Sequence, residues 1–502
     1  MLSNSSVKKQ SSSIHRRLSK ATLGILSEQN EKGELREATT FRLGRQASAN
    51  VTDFAKGRVV RAGRRRKGSL QESDSFNNLR RKRFVDHFQV KGIEAGRQIH
   101  IRLNSRTFDT YIQVLDRNTG ELLFDNDDQS SGVTNSRLTF VAQSDVEYGI
   151  KVTSFAEKET GTYSLRVKTT QPATPGFFHG SGLLDASAAV AAAGNVDLFK
   201  NGPVLERSED WNLNLVNASA AWDEGLRGQG VVVAVIDSGV SFTHDDLAQN
   251  IWQNPGEIPG NGIDDDRNGF VDDQRGWDFV KNSNKPGDPN GHGTFISGII
   301  AGQHNGVGVS GIAPEATIMP VRVLDSNGSG RQRDVAKGIR YAVNNGADII
   351  NLSLGGPPGM ELDRSLKKAI KFAYDQGVFV AIASGNDRQG YGSTQSGEPA
   401  FWASSRNYAI SVGAVDELSN VSSFSNPRGN SSSTYVVAPG SQVYSILPWY
   451  PQRTFSWSGT SFATPHVAGV AALMLSANPD LSPLELMDII TASANPDDLS
   501  VA

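Results

Sequence analysis

Six consecutive apolar residues, Val231-Val232-Val233-Ala234-Val235-Ile236, run directly into Asp237-Ser238-Gly239. A strand with one wet face alternates apolar and polar side chains, so an unbroken β-branched run needs cover on both faces and reads as a parallel strand inside an α/β sheet. Asp237 then stands at the carboxyl edge of that strand, where open α/β sheets place their sites. Val380-Ala381-Ile382-Ala383 repeats the pattern and ends in Ser384-Gly385-Asn386-Asp387. The predicted fold class is α/β, a parallel sheet sandwiched by helices.

Two further segments carry reactive residue types at element ends. In Asn290-Gly291-His292-Gly293-Thr294-Phe295-Ile296-Ser297-Gly298 a histidine is flanked by glycines and followed by a small-residue helix. Little side-chain cover surrounds it, which suits an imidazole that must reach a reacting group. In Ser458-Gly459-Thr460-Ser461-Phe462-Ala463-Thr464-Pro465-His466 a tight glycine turn runs into a long apolar helix. The Ser461 hydroxyl is thereby placed at a helix N-terminus, a position that favours developing negative charge. Each segment also has a plain structural reading: a strand-end acid, a solvated loop histidine and a helix N-cap serine.

Taken in chain order the three give Asp, His, Ser, the order of subtilisin-type triads and not of chymotrypsin or the α/β-hydrolases. Gly459-Thr460-Ser461-Phe462-Ala463 also lacks the second glycine of a nucleophile elbow. From about Trp211 to residue 502 the chain resembles the subtilisin-like serine proteases, the subtilases. That resemblance implies a subtilisin-like fold and peptide-bond hydrolysis. Ser461 would be the nucleophile, His292 the base that takes its proton and returns it to the leaving amine, and Asp237 the group that fixes the imidazole tautomer. It also implies that Asn386 donates its side-chain amide to the oxyanion, beside the Ser461 backbone N–H. An aspartate at 386 would instead have matched the acid-acting sedolisins.

The resemblance extends to substrate handling. Asn351-Leu352-Ser353-Leu354-Gly355-Gly356 resembles the strand edge that subtilases pair with an extended peptide, and Asp325-Ser326-Asn327-Gly328-Ser329-Gly330 resembles the facing edge. Glycine-rich edges leave backbone groups free for β-augmentation, so Ser353, Leu354, Gly355, Gly328, Ser329 and Gly330 are expected to line the substrate. Asp387 and Glu398 fall in segments matching the primary specificity pocket, and two carboxylates there favour Arg or Lys before the cut. The Glu398-Pro399 bond is implied to be cis.

Metal ligands form a separate constellation. Asp264, Asp266, Asn268 and Asp272 or Asp273, with Gly269 at the bend, fit the D-x-D-x-N-G pattern of a calcium loop. The twelfth position is Arg275, so the usual bidentate glutamate is missing and the loop reads as an EF-hand-like insertion. So dense an acidic cluster repels itself without a cation. A Gly-Asn-Gly-Ile-Asp-Asp-Asp insertion of this kind resembles the calcium-dependent subtilases of cyanobacteria. The family resemblance further implies a second, stabilising Ca2+ at Asp246 and Asn305 with the carbonyls of Val307 and Val309. In both places calcium is expected to be structural, since the triad needs no metal.

The rest of the chain is unlike this body. Met1 to Phe84 holds 20 Lys and Arg against 7 Asp and Glu, +13, so the net charge of -3 leaves -16 for everything after it. With few aromatics and no periodicity, residues 1–84 are expected to form a disordered basic tail. It is read as a processed leader, a contact for nucleic acid or a membrane surface, or simply a solvated segment. From 85 to 170 the strands alternate, as in Gln98–Leu103, Thr110–Leu115, Ser136–Val141 and Tyr163–Val167, predicting a small antiparallel β-sandwich. Its Phe108-Asp109-Thr110-Tyr111, Asn126-Asp127-Asp128 and Gly161-Thr162-Tyr163 resemble the pre-peptidase C-terminal domain, implying a substrate- or surface-binding role.

Residues 171–210 are expected to be a linker, and 211–502 the catalytic domain. Within that linker Gly180-Ser181-Gly182-Leu183-Leu184-Asp185-Ala186-Ser187-Ala188-Ala189-Val190 resembles the strand and helix that normally end a subtilase domain. It is either an Ala-rich spacer or a replacement for that terminal element. No cysteine is present, so no disulfide framework forms. Residues 1–30 lack an apolar signal core, which favours the cytoplasm over secretion. The expected partners are protein or peptide substrates, met by a monomer. A calcium-holding binding protein is the competing class, and intact Asp237, His292, Asn386 and Ser461 argue against it.

Overall fold

The computed structural model describes residues 58–501 except 62–64, 71–74, 77–83, 92, 94–96, 127–134, 143–145, 155–159, 173–175, 201, 307 and 498. Residues 1–57, Asp127, Asp128 and Val307 therefore lie outside the described residues. The described residues divide into two compact units, one of 178–386 with 395–501, the other of 58–177 with 387–394.

The larger unit is built on a nine-stranded sheet in the order Trp277–Asp278, Thr317–Arg322, Val232–Asp237, Ile349–Leu352, Phe379–Ala383, Ile410–Val415, Asn420–Val421 and Ser500–Val501, with Tyr435–Pro439 also on Ile410–Val415. All pairings but that of Val415 with Val421 are parallel. The sequence-predicted strand is buried from Val233 to Asp237. One core cluster joins Val233 and Val235 to Ile296, Val467 and Ala471, and a second joins Ala234 and Ile236 to Val335, Ile339 and Leu366. Alternate side chains of one strand thus feed opposite layers, which is why the run needs no polar residue. Burying each such side chain contributes about 1.5–3 kcal/mol. Thr317–Arg322 pairs on one side of Val232–Asp237 and Ile349–Leu352 on the other, so the chain reverses its winding there. Asp237 stands at that switch point.

The segment at 180–194 is not a spacer. Leu183 bridges Val437 and Asn495. Its N–H donates to Asn495 O at 2.7 Å and its carbonyl accepts Asn495 N–H at 2.8 Å, while Leu184 N–H donates to Val437 O at 2.9 Å. Asp185 then caps the Ala186–Ala193 helix through Ala188 N–H. The alanine face is buried in the core beside the Thr460–Ala477 and Pro483–Ser493 helices. Gly182 sits so close to Asn495 that a Cβ would stand 2.5 Å from its carbonyl. The part of the expected linker from Phe178 onward therefore belongs to this unit.

The smaller unit is a two-sheet sandwich around Ile99, Ile101, Leu103, Ile112, Val114, Ile150, Val152, Leu165 and Val167, antiparallel except where Arg58–Arg61 runs parallel to Phe84–Lys91. Strands Arg58–Arg61, Arg65–Leu70 and Ser75–Phe76 lie upstream of the boundary expected at 85 and pair with Phe84–Lys91, Gly161–Pro172 and Phe84–Lys91 respectively. Arg65, Arg66 and Lys67, read as tail, sit on a strand that also carries the buried Leu70. The basic composition masks that strand from a reading of the sequence.

Candidate active site

Asp237 is fully buried at its strand end, with Oδ1 accepting the Ser238 N–H at 2.7 Å and facing His292 Nδ1 at 2.8 Å. Its Oδ2 is buried and makes no hydrogen bond among the described residues. An oxygen facing Nδ1 at this distance suits the tautomer with hydrogen on Nδ1, which leaves Nε2 as the acceptor. Burial lowers the His292 pKa, but the Asp237 charge and hydrogen bond, with the Asp288 charge, outweigh it and hold the pKa above its ordinary value.

The histidine is aimed by its loop. It opens the His292–Ala301 helix, and Asp288, which sequence reading missed, caps that start. Asp288 Oδ1 accepts from Asn290 N, Gly291 N and Ser238 Oγ, and Oδ2 from Thr294 N and Thr294 Oγ1. Gly293 is required by contact, since a Cβ would stand 2.1 Å from Gly239 O. Asn290 also reaches Ser326 O at 3.1 Å, tying the Asp325–Gly330 turn to the histidine loop. The only sequence signal for Asp288 is Asp-Pro just before the Asn-Gly turn.

Ser461 starts the Thr460–Ala477 helix. Pro465 has no N–H, so the Ser461 carbonyl loses its helical donor, and Ser353 Oγ supplies one at 2.7 Å. In return Ser461 Oγ donates to Ser353 O at 3.0 Å, while Asn351 Nδ2 holds Ser353 Oγ at 2.9 Å. The expected edge residue Ser353 is therefore a clasp on the serine. No hydrogen bond joins Ser461 to His292 among the described residues. The His292 ring lies 5.5 Å, centroid to centroid, from Phe462, the next residue after the serine.

Asn386 Oδ1 accepts from Thr460 N at 2.9 Å and Thr460 Oγ1 at 3.0 Å. Anchoring the oxygen leaves the amide N–H2 as the end available to a ligand, beside Gly459. Phe295 is fully buried, stacked on Trp457 at 4.5 Å and against Phe462 at 4.9 Å. His466, deeper in the same helix, has Nδ1 on Phe462 O and Nε2 on Asn212 Nδ2, and burial lowers its pKa to about 4.

Among the substrate residues, Gly330 bridges Leu324 and the turn closes through Asp325 on Ser329 and Gly328. Gly356 and Glu398 exchange backbone hydrogen bonds at 2.8 and 3.0 Å beside Leu354 and Gly355, and Glu398-Pro399 is cis. Glu398 is half-buried, with Oε2 accepting Trp402 N–H at 3.1 Å, and burial raises its pKa. Asp387 falls in the Asp387–Thr394 segment that belongs to the smaller unit.

The acidic loop sorts its carboxylates. Asp264 accepts from Asn268 N and Gly269 N, and Asp272 from Asn261 N and Gly262 N; these two are satisfied by the loop's own backbone. Asp266 and Asp273 are drawn together with Glu257, one oxygen of each lying within 4.8 Å of the other two. Asn254 Nδ2 bridges Asp266 and Asp273 at 2.9 and 2.8 Å, Asn268 Nδ2 reaches both at 3.0 and 3.1 Å, and Tyr341 Oη donates to Asp273 at 2.5 Å. Glu257, missed by the motif because it precedes it, is 7% exposed and its Oε2 has no partner among the described residues. Burial, together with the Asp273 and Asp266 charges, raises its pKa. Asp246 is buried under the loop bearing Asn305 and Val309.

With a parallel sheet ending in Asp237, a histidine fixed upon it and a serine at the next helix start, the class is a serine-type endopeptidase. Residues 228–501 match the family model described as Peptidase_S8, the subtilase family, and the chain belongs to that family. Thermitase of Thermoactinomyces vulgaris is 41% identical over 271 residues, 54% of this chain and 83% of that protein. Subtilisin DY of Bacillus licheniformis is 36% identical over 285 residues, 57% and 90% respectively. A solved cold adapted subtilisin-like serine proteinase is 30% identical, covers 61% of this chain and 93% of its own, and has a TM-score of 0.45.

Proposed function

We propose that this serine endopeptidase cuts protein or peptide substrates with Asp237, His292 and Ser461 as its triad and with Asn386 and the Ser461 N–H as oxyanion donors. The carrying observation is the buried Asp237–His292 contact of 2.8 Å with Ser461 on the adjoining helix start. Rotation of Ser461 about its Cα–Cβ bond, between ordinary rotamers, takes Oγ from Ser353 O toward Nε2. Catalytic hydrogen bonds of a free enzyme commonly form only once substrate is bound. His292 accepts the proton as Oγ attacks the carbonyl carbon, Asp237 stabilises the imidazolium, and the same proton passes to the leaving amine. Asn386, fixed through Oδ1, meets the oxyanion without reorganising.

An extended substrate docks along Ser353–Gly355, where the Gly355 backbone N–H and C=O make no hydrogen bond among the described residues, with Gly328–Gly330 as the facing edge. Glu398 has one oxygen uncommitted to the protein and supplies the preference for Arg or Lys before the cut. Glu257, Asp266 and Asp273, with Asn268 beside them, fit a structural Ca2+: three carboxylates converge and one buried oxygen lacks any partner. The ion neutralises this cluster and takes no part in the chemistry. The smaller unit acts as an accessory binding module, as its resemblance to pre-peptidase C-terminal domains implies.

The test is hydrolysis of two peptides, with Arg or Phe before the cut, by wild type and Ser461→Ala. The expected result is cleavage favouring Arg, abolished by the substitution with the fold intact. Removing the serine from a subtilisin triad is known to cost about a million-fold in kcat. Unchanged turnover in Ser461→Ala would refute the triad, and equal cleavage of both peptides would refute the basic preference.

A further inference from the structure

Arg322 is 4% exposed and Asp278 is fully buried, and Arg322 Nη1 donates to Asp278 Oδ2 at 2.7 Å. Taking two ions out of water is so costly that a buried pair commonly adds no stability that apolar side chains would not. Asp278 is nonetheless well met. Its Oδ1 accepts from Val280 N at 2.8 Å and Lys281 N at 2.9 Å, and its backbone exchanges hydrogen bonds with Ser283 at 2.8 and 3.0 Å. What an apolar pair could not supply is the second bond of the guanidinium, in which Arg322 Nε donates to Leu324 O at 3.2 Å.

Leu324 is the foot of the Asp325–Gly330 turn. It bridges Gly330, where a Cβ would stand 2.6 Å from Leu324 Cδ2. Its N–H donates to Asp237 O at 3.1 Å, beside that of Val323 at 2.8 Å. Arg322 itself stands opposite Asp237 in the sheet, with Asp278 on its other side. Leu324 is thus held through its N–H by the strand of Asp237 and through its carbonyl by Arg322. We propose, on the reading of Gly328–Gly330 as a substrate edge, that Arg322 is a positioning residue: kept in place by Asp278, it fixes this turn to the Asp237 strand and so sets that edge. Arginine suits the post because its planar fork serves a carboxylate and a carbonyl at once, where a lysine ammonium is a point charge on a flexible stem. Asn290 holds Ser326 O, so losing the Arg322 bond loosens the turn without detaching it.

Two variants test this in the full chain. Arg322→Lys keeps a cation for Asp278 but loses the fork. Asp278→Asn/Arg322→Gln removes both charges, so that no ion is buried alone should the lysine variant fail to fold. Each is compared with wild type on a tetrapeptide anilide and on a single-residue N-acetyl ethyl ester, which has no chain to lie along Gly328–Gly330. KM for the peptide should rise about tenfold, as for loss of a hydrogen bond from a charged group, with kcat little changed and the ester unaffected. With Ser461→Ala added to prevent self-digestion, amide hydrogen exchange at 326–330 should quicken while that of Val232–Asp237 stays as it was. An equal loss of kcat on peptide and ester would overturn the proposal, since a merely structural pair would give that result, and so would unchanged exchange at 326–330. Faster exchange with an unchanged peptide KM would leave Arg322 as the anchor of the turn and refute the substrate edge instead, so the two readings fail separately.

Discussion

The Asp237 site and the acidic loop both bury carboxylates, yet they resolve the charge in opposite ways. Asp237 meets a histidine and one backbone N–H, so its charge is answered by a group that can itself change protonation. Glu257, Asp266 and Asp273 meet amides, a phenol and one another, so three formal charges share donors that bring none. The first arrangement is complete with protein alone, and its remaining strain is useful because it sets the imidazole pKa. In the function we propose, the second is completed by a cation from solution. On that proposal chemistry and stability are carried by separate carboxylate clusters of one domain.

The comparison breaks most visibly at Asp237. Asp237→Asn should lower kcat by about 10^4-fold, as in other Ser-His-Asp enzymes where the tautomer is lost. In wild type the raised His292 pKa means that activity falls as pH drops through a value above about 6.5, because the protonated imidazole cannot act as base. Removing the Asp237 charge leaves burial to dominate, so the acid limb of the kcat/KM profile should move to lower pH. An unmoved limb would show that His292 is not the titrating base. Asn386→Leu comes next, with kcat reduced about 10^2 to 10^3-fold and KM little changed, the figure known for the subtilisin oxyanion asparagine. A pure KM effect would reassign Asn386 to substrate binding.

The smallest effect tests the other half of the contrast. In inactive Ser461→Ala protein, calcium at one hundred times its Kd should stabilise the fold by about 2.7 kcal/mol. Glu257→Gln should abolish most of that gain while raising Tm in chelator, because one repelling charge is gone. Parallel losses of Tm in both solutions would mean that Glu257 is only a packing residue.

The larger unit was largely legible because its constraints are local. The Val232–Asp237 strand, the glycine-flanked His292 and the Ser461 helix start each announce themselves within about ten residues. What was not legible depends on distance along the chain. Glu257 lies ahead of the motif it completes, and Arg207 meets Gly308 across 101 residues. Asp288 reads as a turn former until its five donors are seen. The Ser353–Ser461 clasp follows from Pro465, but only after strand and helix are brought together. At 58–76 charge density hides the strands Arg58–Arg61, Arg65–Leu70 and Ser75–Phe76 from a reading of composition.

The clasp of Leu183 between Val437 and Asn495 sets a limit on trimming. A protease exposed to its own kind keeps whatever chain is hydrogen-bonded on both flanks and loses what is not. Cutting upstream of Phe178 leaves every bond from Ser181 to Leu184 in place. Cutting after Asp185 takes away the Leu183 bridges to Val437 and Asn495 and the cap of the alanine helix together, while the helix itself stays. The fold therefore carries its own ruler, on which Gly180 marks the division between a cut that spares these bonds and one that removes them.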